Sequence, residues 1–377
     1  MSNVVLIRSN PVRPYPRLEK MANCLAKNGH GVTVLAWDRD DDYSPRVEKL
    51  ELKDSTVKII RIGIKGQFSG GIKKNLKGLL KFQGFIYSWL KSHQDEYEII
   101  HAYDFDTGFT AQKCAKLFNK KFIYDIPDYY VDSHGLNGSS IGNVVKKLEN
   151  SVINKADATI ICTEQRKEQI AGTHPKKLYV IHNTPDAEVE SAGSNAGEHE
   201  RLKLVYVGVF GKTRFLDKIA EEVAKRDDCE FHIGGFGSGM EEFFENMSNK
   251  YDNIFYYGRI PYEQTIRLEQ ECDVMCAIYD PAVPNHYYAA PNKFYEALLL
   301  GKPLIMAKNS SIASVVEQYG IGEVMDYSVS GFNAALDRLI AKKDSFGDIA
   351  NICTNLYREK YSWKQMESVI KNIYSNI

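Results

Sequence analysis

Along almost its whole length the chain alternates apolar runs of strand length with segments of helical period, and this alternation limits the possible folds more than any other feature. Residues 4–8, 32–37, 57–62, 99–102, 122–125, 158–162 and 178–182 read as strands. Helical patterns near 17–28, 72–90, 107–118 and 143–154 fall between them. Strand, helix and strand in repeated succession predict a parallel sheet covered on both faces. A second series of strands follows at 202–208, 230–234, 254–258, 273–278, 303–307 and 322–326. The 377 residues are enough for two domains of this kind, at roughly 180 residues each. The stretch around Ala192-Gly193-Ser194-Asn195-Ala196-Gly197 has no apolar period and reads as a linker. The expected organisation is an α/β chain of two doubly wound, Rossmann-like domains facing across a cleft. These are a first domain at 1–185, a linker at 186–201, a second domain at 202–360, and a helix at 361–377 crossing back to the first domain. Open parallel sheets bind ligands beyond the carboxyl ends of their strands, so the chemistry is sought in the loops that follow them.

No run of 18 or more apolar residues occurs, and the start goes straight into a strand without a basic leader, so a cytoplasmic chain is expected. The seven cysteines sit mostly in apolar stretches and read as reduced core thiols. Cys272 and Cys276 lack the second Cys or His pair that a tetrahedral metal site requires. Asp38-Arg39-Asp40-Asp41-Asp42 reads as a solvated acidic loop. Neither a metal nor a cofactor is expected, and no nucleic-acid partner. The formal net charge of -1 conceals a stretch from Ser55 to Gln94 with no acidic residue and eight lysines or arginines. Ile72, Leu76, Leu79, Phe82, Ile86, Trp89 and Leu90 recur there at helical spacing. Two readings stay open: a domain helix with a solvated lysine face, or contact with an anionic membrane surface at the inner face of the membrane or with a lipid-diphosphate acceptor.

The segment from Ala290 to Ile305 carries most of the chemistry. Pro291 suits a first helical position, where its missing N–H costs nothing, and the free N–H groups behind it, with Asn292 and Lys293, suit phosphate oxygens. Glu296 lies one turn on along the same face, where its oxygens can accept hydrogen bonds from ribose hydroxyls. Gly301 ends the helix. Earlier in the same half, Gly208 and Gly211 close a strand and let backbone N–H groups approach a phosphate, with Lys212 and Arg214 placed to neutralise charge on a leaving diphosphate. Gly234-Gly235-Phe236-Gly237-Ser238-Gly239 is not read as a dinucleotide fingerprint, since no acidic residue ends the next strand; a tight turn is expected. In the first half, the strand-end residues Arg8, Asn10, Arg13 and Asp128 are expected to meet the acceptor. His101 and Asp104 are the candidates for taking its proton in an inverting reaction, whereas a retaining reaction would leave that proton to the departing phosphate.

Together these residues resemble the fold-type-B glycosyltransferases, and family 4 in particular. The likeness runs through Tyr206-Val207-Gly208-Val209, Gly234-Gly235-Phe236-Gly237, Tyr257-Gly258-Arg259-Ile260-Pro261, Pro291-Asn292-Lys293-Phe294-Tyr295-Glu296 and Gly301-Lys302-Pro303. In the first half it rests on the segments 25–35, 100–104 and 180–185. The resemblance implies that Glu296 holds the ribose, that Lys212, Arg214, Asn292 and Lys293 hold the diphosphate, and that Arg259 and Ile260 flank the base. Tyr288 stands where many members have a second glutamate that touches the donor sugar. The implied function is transfer of a sugar from a nucleotide-sugar, a UDP-sugar, to a glycan or lipid-linked acceptor in surface-polysaccharide assembly, metal-independent and retaining. The alternatives are a sugar-nucleotide 2-epimerase of the same fold and a non-catalytic partner of another transferase.

Overall fold

The computed structural model describes residues 1–67, 71–187, 200–310 and 312–377, with the backbone alone at 71–73. Most of the expected linker lies outside the described residues. Two compact units result, Met1–His182 with Met366–Ile377, and Asn183–Gln365, each with its own hydrophobic core.

The first unit runs β1 (Asn3–Arg8), α1 (Pro16–Lys27), β2 (Gly31–Asp38), β3 (Tyr43–Glu51), β4 (Thr56–Gly63), α2 (Gly71–Ser92), β5 (Ile99–Tyr103), α3 (Phe105–Leu117), β6 (Lys121–Ile126), α4 (Tyr130–Ser133), α5 (Ser140–Lys155), β7 (Ala158–Ile161), α6 (Arg166–Gln169) and β8 (Leu178–Val180). Its sheet has the order β3-β4-β2-β1-β5-β6-β7-β8, so the winding reverses between β1 and β5. The strand β3 was not expected. It is the antiparallel edge partner of β4, and its sequence YSPRVEKLE is mostly exposed, so it carries neither the buried run nor the alternation that marks a strand. A proline is tolerated there because an edge strand has N–H groups that need no partner.

Strand side chains alternate between faces. Val5, Ile7, Ile100, Ala102, Phe122 and Tyr124 share one apolar core with α2, α3 and α5. Their neighbours Leu6, Arg8, His101, Tyr103 and Asp125 point to the other face. There the buried side chains of α1 pack, and Tyr374 reaches the Nδ1 of His101 with its hydroxyl at 2.7 Å.

The second unit runs β9 (Leu202–Val209), α7 (Leu216–Val223), β10 (Cys229–Phe236), α8 (Glu241–Lys250), β11 (Ile254–Tyr256), α9 (Tyr262–Glu271), β12 (Val274–Ala277), α10 (Pro284–Tyr287), α11 (Asn292–Leu300), β13 (Leu304–Ala307), α12 (Ala313–Tyr319), β14 (Gly322–Met325), α13 (Val329–Ala341) and α14 (Phe346–Leu356). A π-helical turn at Tyr357–Tyr361 precedes α15 (Trp363–Ser375), most of which belongs to the first unit. The six strands are all parallel in the order β11-β10-β9-β12-β13-β14, and the winding reverses between β9 and β12. The expected glycine turn is shorter than its sequence suggests: β10 continues through Gly234-Gly235-Phe236, and the turn begins at Gly237. All seven cysteines are buried free thiols.

Gly235 shows why a side chain is excluded at that point. Its φ is 139°, and a Cβ would stand 1.8 Å from the carbonyl oxygen of Gly208 on the neighbouring strand. Gly258 also has positive φ, 62°, but a Cβ there would meet nothing within 4 Å. Gly258→Ala is therefore expected to cost only the left-handed penalty of about 1 kcal/mol. Gly235→Ala adds displacement of a paired strand and is expected to cost about 3 kcal/mol or more. Urea unfolding of the two variants beside the parent checks the ranking, and equal losses would refute it.

Candidate functional site

In the second unit, the carboxyl ends of the strands bring the expected donor residues to one edge of one sheet. The loop after β9 supplies Gly211, the exposed Lys212 and the half-buried Arg214. The loop after β12 supplies Tyr279, and the two loops flank the switch point. They are joined there: the Asp280 N–H donates to the Thr213 carbonyl at 2.9 Å, and the Arg214 guanidinium lies 4.4 Å from the centroid of the Tyr279 ring. The guanidinium is thus held at the strand ends against the Tyr279 ring. At the ends of β9, β10 and β11, Val209, Phe236 and Tyr257 expose apolar surface. Arg259 covers Phe236 with its guanidinium 4.5 Å from the ring centroid, and Ile260 is half-buried behind it.

The α11 start differs from expectation in two respects. Pro291 is the N-cap, with extended backbone, and Asn292 is the first helical residue. This shifts the helix by one position and leaves the N–H groups of its first turn facing the same edge. Lys293 is the larger correction. Instead of standing free for phosphate, it is 7% exposed. Its Nζ lies 2.7 Å from Glu296 Oε2 and 3.0 Å from Glu269 Oε1. An ammonium brought out of water needs such partners, and α9 supplies the second carboxylate. Glu296 keeps its other oxygen, Oε1, free of hydrogen bonds among the described residues. Tyr288 is half-buried, its ring edge-on to Tyr287 at 4.8 Å.

Glu269 was not singled out by its sequence, because a glutamate on the amphipathic helix α9 reads as solvent-facing. It is fully buried instead. Burial and the neighbouring Glu296 push its carboxyl up to about 8, against the pull of Lys293.

In the first unit, the edge at the β1/β5 switch point gathers Arg8, Asp104, Asp106 and Asp128. Arg8, the last residue of β1, is ion-paired with Asp104 and lies over the Tyr15 ring at 4.5 Å. Asp104 takes a φ of 61° and is held by its N–H to the Asp125 carbonyl at 3.0 Å. Burial pushes its carboxyl up to about 7; Arg8 opposes the rise, and Asp106 and Asp128 add to it. Several polar atoms here are buried without a partner: Arg8 Nε, Arg39 Nε, Tyr103 Oη, Asp104 Oδ1, Asp106 Oδ1 and Arg166 Nε. Such groups are costly unless something bonds them, and their clustering at one strand-end edge marks a place built to receive a polar molecule.

Not every expected acceptor residue joins this group. Arg13 turns to Asp38 at 3.3 Å and Glu48 at 3.1 Å, beside the unexpected β3. Asn10 caps its own loop, accepting from the Val12 N–H at 3.0 Å. Asp128 does stay at the edge, but exposed and paired with Arg166 at 3.1 Å. His101 is fully enclosed between Tyr374 and Asp125, and burial holds its ring below the ordinary histidine range. Arg17 grips Asp125 with two nitrogens, the shorter bond being 2.7 Å. The acidic loop after β2 has Asp38 buried and accepting from the Tyr43 hydroxyl at 2.7 Å. Among the described residues, no three His, Cys, Asp or Glu side chains are grouped to hold a metal ion.

Comparison with known proteins agrees with this architecture. Residues 17–189 match the pattern of Glycosyltransferase Family 4, and residues 190–355 that of Glycosyl transferases group 1. The chain belongs to the fold-type-B glycosyltransferases of this family-4 kind. Sucrose-phosphate synthase of Thermosynechococcus elongatus has the same fold, with a TM-score of 0.77 at 15% identity over 100% of this chain and 98% of that one. HepE of Anabaena, solved in complex with UDP, superposes with a TM-score of 0.69 at 13% identity over the whole of both chains. An uncharacterized 41.2 kDa protein in the cps region of Klebsiella pneumoniae is 20% identical over 245 residues. That match spans 62% of this chain and 66% of the relative, just under two thirds of its length.

The buried trio predicts a pH effect with a definite sign. Between the ordinary glutamate value of 4.5 and about 8, the unfolded chain releases the Glu269 proton while the folded chain retains it, so stability falls as pH rises through that window and levels off above it. Glu269→Gln keeps the shape and removes this titration. Its stability-against-pH slope in that window is expected to be shallower by up to about 1.4 kcal/mol per pH unit. Thermal melts across the window decide the matter; parallel slopes for the two proteins would mean that Glu269 is ionised in the folded state.

Proposed function

We propose that the chain moves a sugar from a UDP-sugar held by its second unit to a hydroxyl of a glycan or lipid-diphosphate acceptor held by its first, in the assembly of a surface polysaccharide. One observation carries the donor half of this reading. Lys212, Arg214, the α11 start and Glu296 converge on the carboxyl edge of a single parallel sheet around its β9/β12 switch point. HepE, of the same fold, has been solved with UDP and with UDP-glucose, which supports the choice of base. The Klebsiella relative encoded in a cps region supports the polysaccharide setting.

In this reading, Gly208 and Gly211 let backbone approach the diphosphate. Lys212 and Arg214 offset the charge it gains as the bond from its oxygen to the sugar C1 breaks. Glu296 accepts from the ribose hydroxyls with Oε1, and Arg259 and Ile260 flank the base. Tyr288 lies beside the sugar. Cationic side chains and the α11 dipole supply what a divalent ion supplies elsewhere, so the reaction is metal-independent. It retains the anomeric configuration: the acceptor hydroxyl attacks the face that the diphosphate leaves, and a phosphate oxygen takes its proton. Asp104, poised near neutrality beside Arg8, orients that hydroxyl. His101 holds Asp125 from behind.

The test is UDP release from a panel of UDP-sugars with and without acceptor, with the product anomer read by NMR. Release that depends on acceptor supports transfer, whereas epimer formed from donor alone would identify the isomerase alternative. Glu296→Ala is expected to weaken UDP binding by about 1 to 3 kcal/mol, the worth of one or two hydrogen bonds to a charged group, with Glu269 left as the counter-charge that holds Lys293. Calorimetry measures it, and unchanged affinity removes Glu296 from the site. Asp104→Asn should lower turnover by about a hundredfold while leaving UDP affinity alone; full turnover in that variant would dismiss Asp104 from the reaction.

A further inference from the structure

The helices α2, α3 and α5 lie side by side over one face of the first unit's sheet, their inner residues sharing one core. Their outer surface is unusual in sign. Exposed on it are Lys74, Lys77, Lys81 and Lys91 of α2, Lys113 and Lys116 of α3, and Lys146, Lys147 and Lys155 of α5. The three helices contain two acidic residues, and neither balances these lysines. Glu149 is fully buried and accepts from the Tyr124 hydroxyl at 2.9 Å. Asp106 sits in the first turn of α3 at the strand-end edge, its Oδ1 enclosed. None of the nine lysines is ion-paired among the described residues. The whole chain carries 48 basic and 49 acidic side chains, so a solvated face of ordinary composition would mix the two signs.

Between the lysines, aliphatic side chains stand in solvent. Leu76, Leu80 and Tyr87 are spaced by four and seven residues, which keeps them on one line of α2, and their exposures are 49%, 63% and 41%. Ile141, Val144 and Leu148 make a second line along α5, 64%, 58% and 38% exposed, and Leu117 ends α3 with 64%. Lysines alone would suit any polyanion. Single-stranded nucleic acid is gripped by aromatic rings that stack on bases, and these lines are aliphatic apart from Tyr87. Aliphatic side chains flanked by lysines fit the boundary between anionic headgroups and acyl chains, where each kind meets its own medium.

We propose that the α2/α3/α5 face of the first unit docks on the surface of an anionic lipid bilayer. It lies on the surface; no helix among the described residues is long and apolar enough to cross a membrane. The strand-end edge with Arg8 and Asp104 borders this face at the start of α3, so a bilayer-anchored acceptor would present its head group to that edge. The docking itself does not depend on the reaction proposed above.

The test uses the full chain in co-sedimentation with vesicles of phosphatidylcholine alone and of phosphatidylcholine mixed with phosphatidylglycerol. Binding is expected to be at least about tenfold tighter to the mixed vesicles and to weaken with added salt. The variant carrying Lys77→Gln, Lys81→Gln, Lys146→Gln and Lys147→Gln should lose about a hundredfold in vesicle affinity. The variant carrying Leu80→Ser, Ile141→Ser and Val144→Ser should lose binding at raised salt, where the aliphatic contribution remains. Both should keep the parent's melting temperature and UDP affinity, which separates loss of docking from loss of fold or donor site. Equal binding to the two kinds of vesicle, or undiminished binding by the lysine variant, overturns the proposal. So does binding of single-stranded RNA through these lysines without binding of vesicles. Failure of sugar transfer with vesicle binding intact would count against the proposed reaction alone.

Discussion

A parallel strand cannot pair with its successor through a tight turn; the chain must first cross over the sheet, and almost always does so right-handedly. Every loop that leaves a parallel strand of the sheet at its carboxyl end therefore emerges on the same edge, whatever its sequence. Where the winding reverses, at β1/β5 and at β9/β12, two of these loops diverge and leave room between them. The positions of Arg8 and Asp104 in one unit, and of Arg214 and Tyr279 in the other, follow from this single geometric rule. Residues 96 positions apart, Arg8 and Asp104, meet because adjacent strands end together.

Such an edge must keep charge in place while the sheet behind it stays apolar. Both units do this with groups of ionisable side chains at or just behind the strand ends. In the first, Arg17 joins Asp125 and the Ile181 carbonyl at 2.8 Å, linking α1, β6 and the segment after β8. In the second, Lys293 joins α9 to α11 through Glu269 and Glu296. Buried ion pairs contribute little net stability, because their desolvation offsets their attraction, but removing one partner strands the other at high cost. Their effect is thus on position: the carboxylate of Glu296 can stand in only one place.

What the sequence made legible follows the same division. Strands buried on both faces are continuous apolar runs, and those of both sheets were found to within a few residues. The exposed edge strand β3 offered no such run and went unseen, and with it the partners that draw Arg13 away to Asp38 and Glu48. The glycines and cations after β9 could be read because strand-end chemistry is local. Lys293 was misplaced because its partner Glu269 lies on another helix, and nothing in the spacing of α9 distinguishes a buried glutamate from a solvated one. The pairing of His101 with Tyr374, 273 residues apart, is equally invisible to local pattern.

That last pairing bears on how the molecule is made. The first unit takes its final helical segment from the far end of the chain, so on the ribosome its sheet is complete long before Tyr374 has been synthesised. Until then His101 lacks its Tyr374 partner, and only α1 covers the face around it. The N-terminal unit therefore cannot finish folding as a free-standing piece during translation; it must wait, partly open, while the whole of its neighbour is made, and its last step is the arrival of the C-terminal segment.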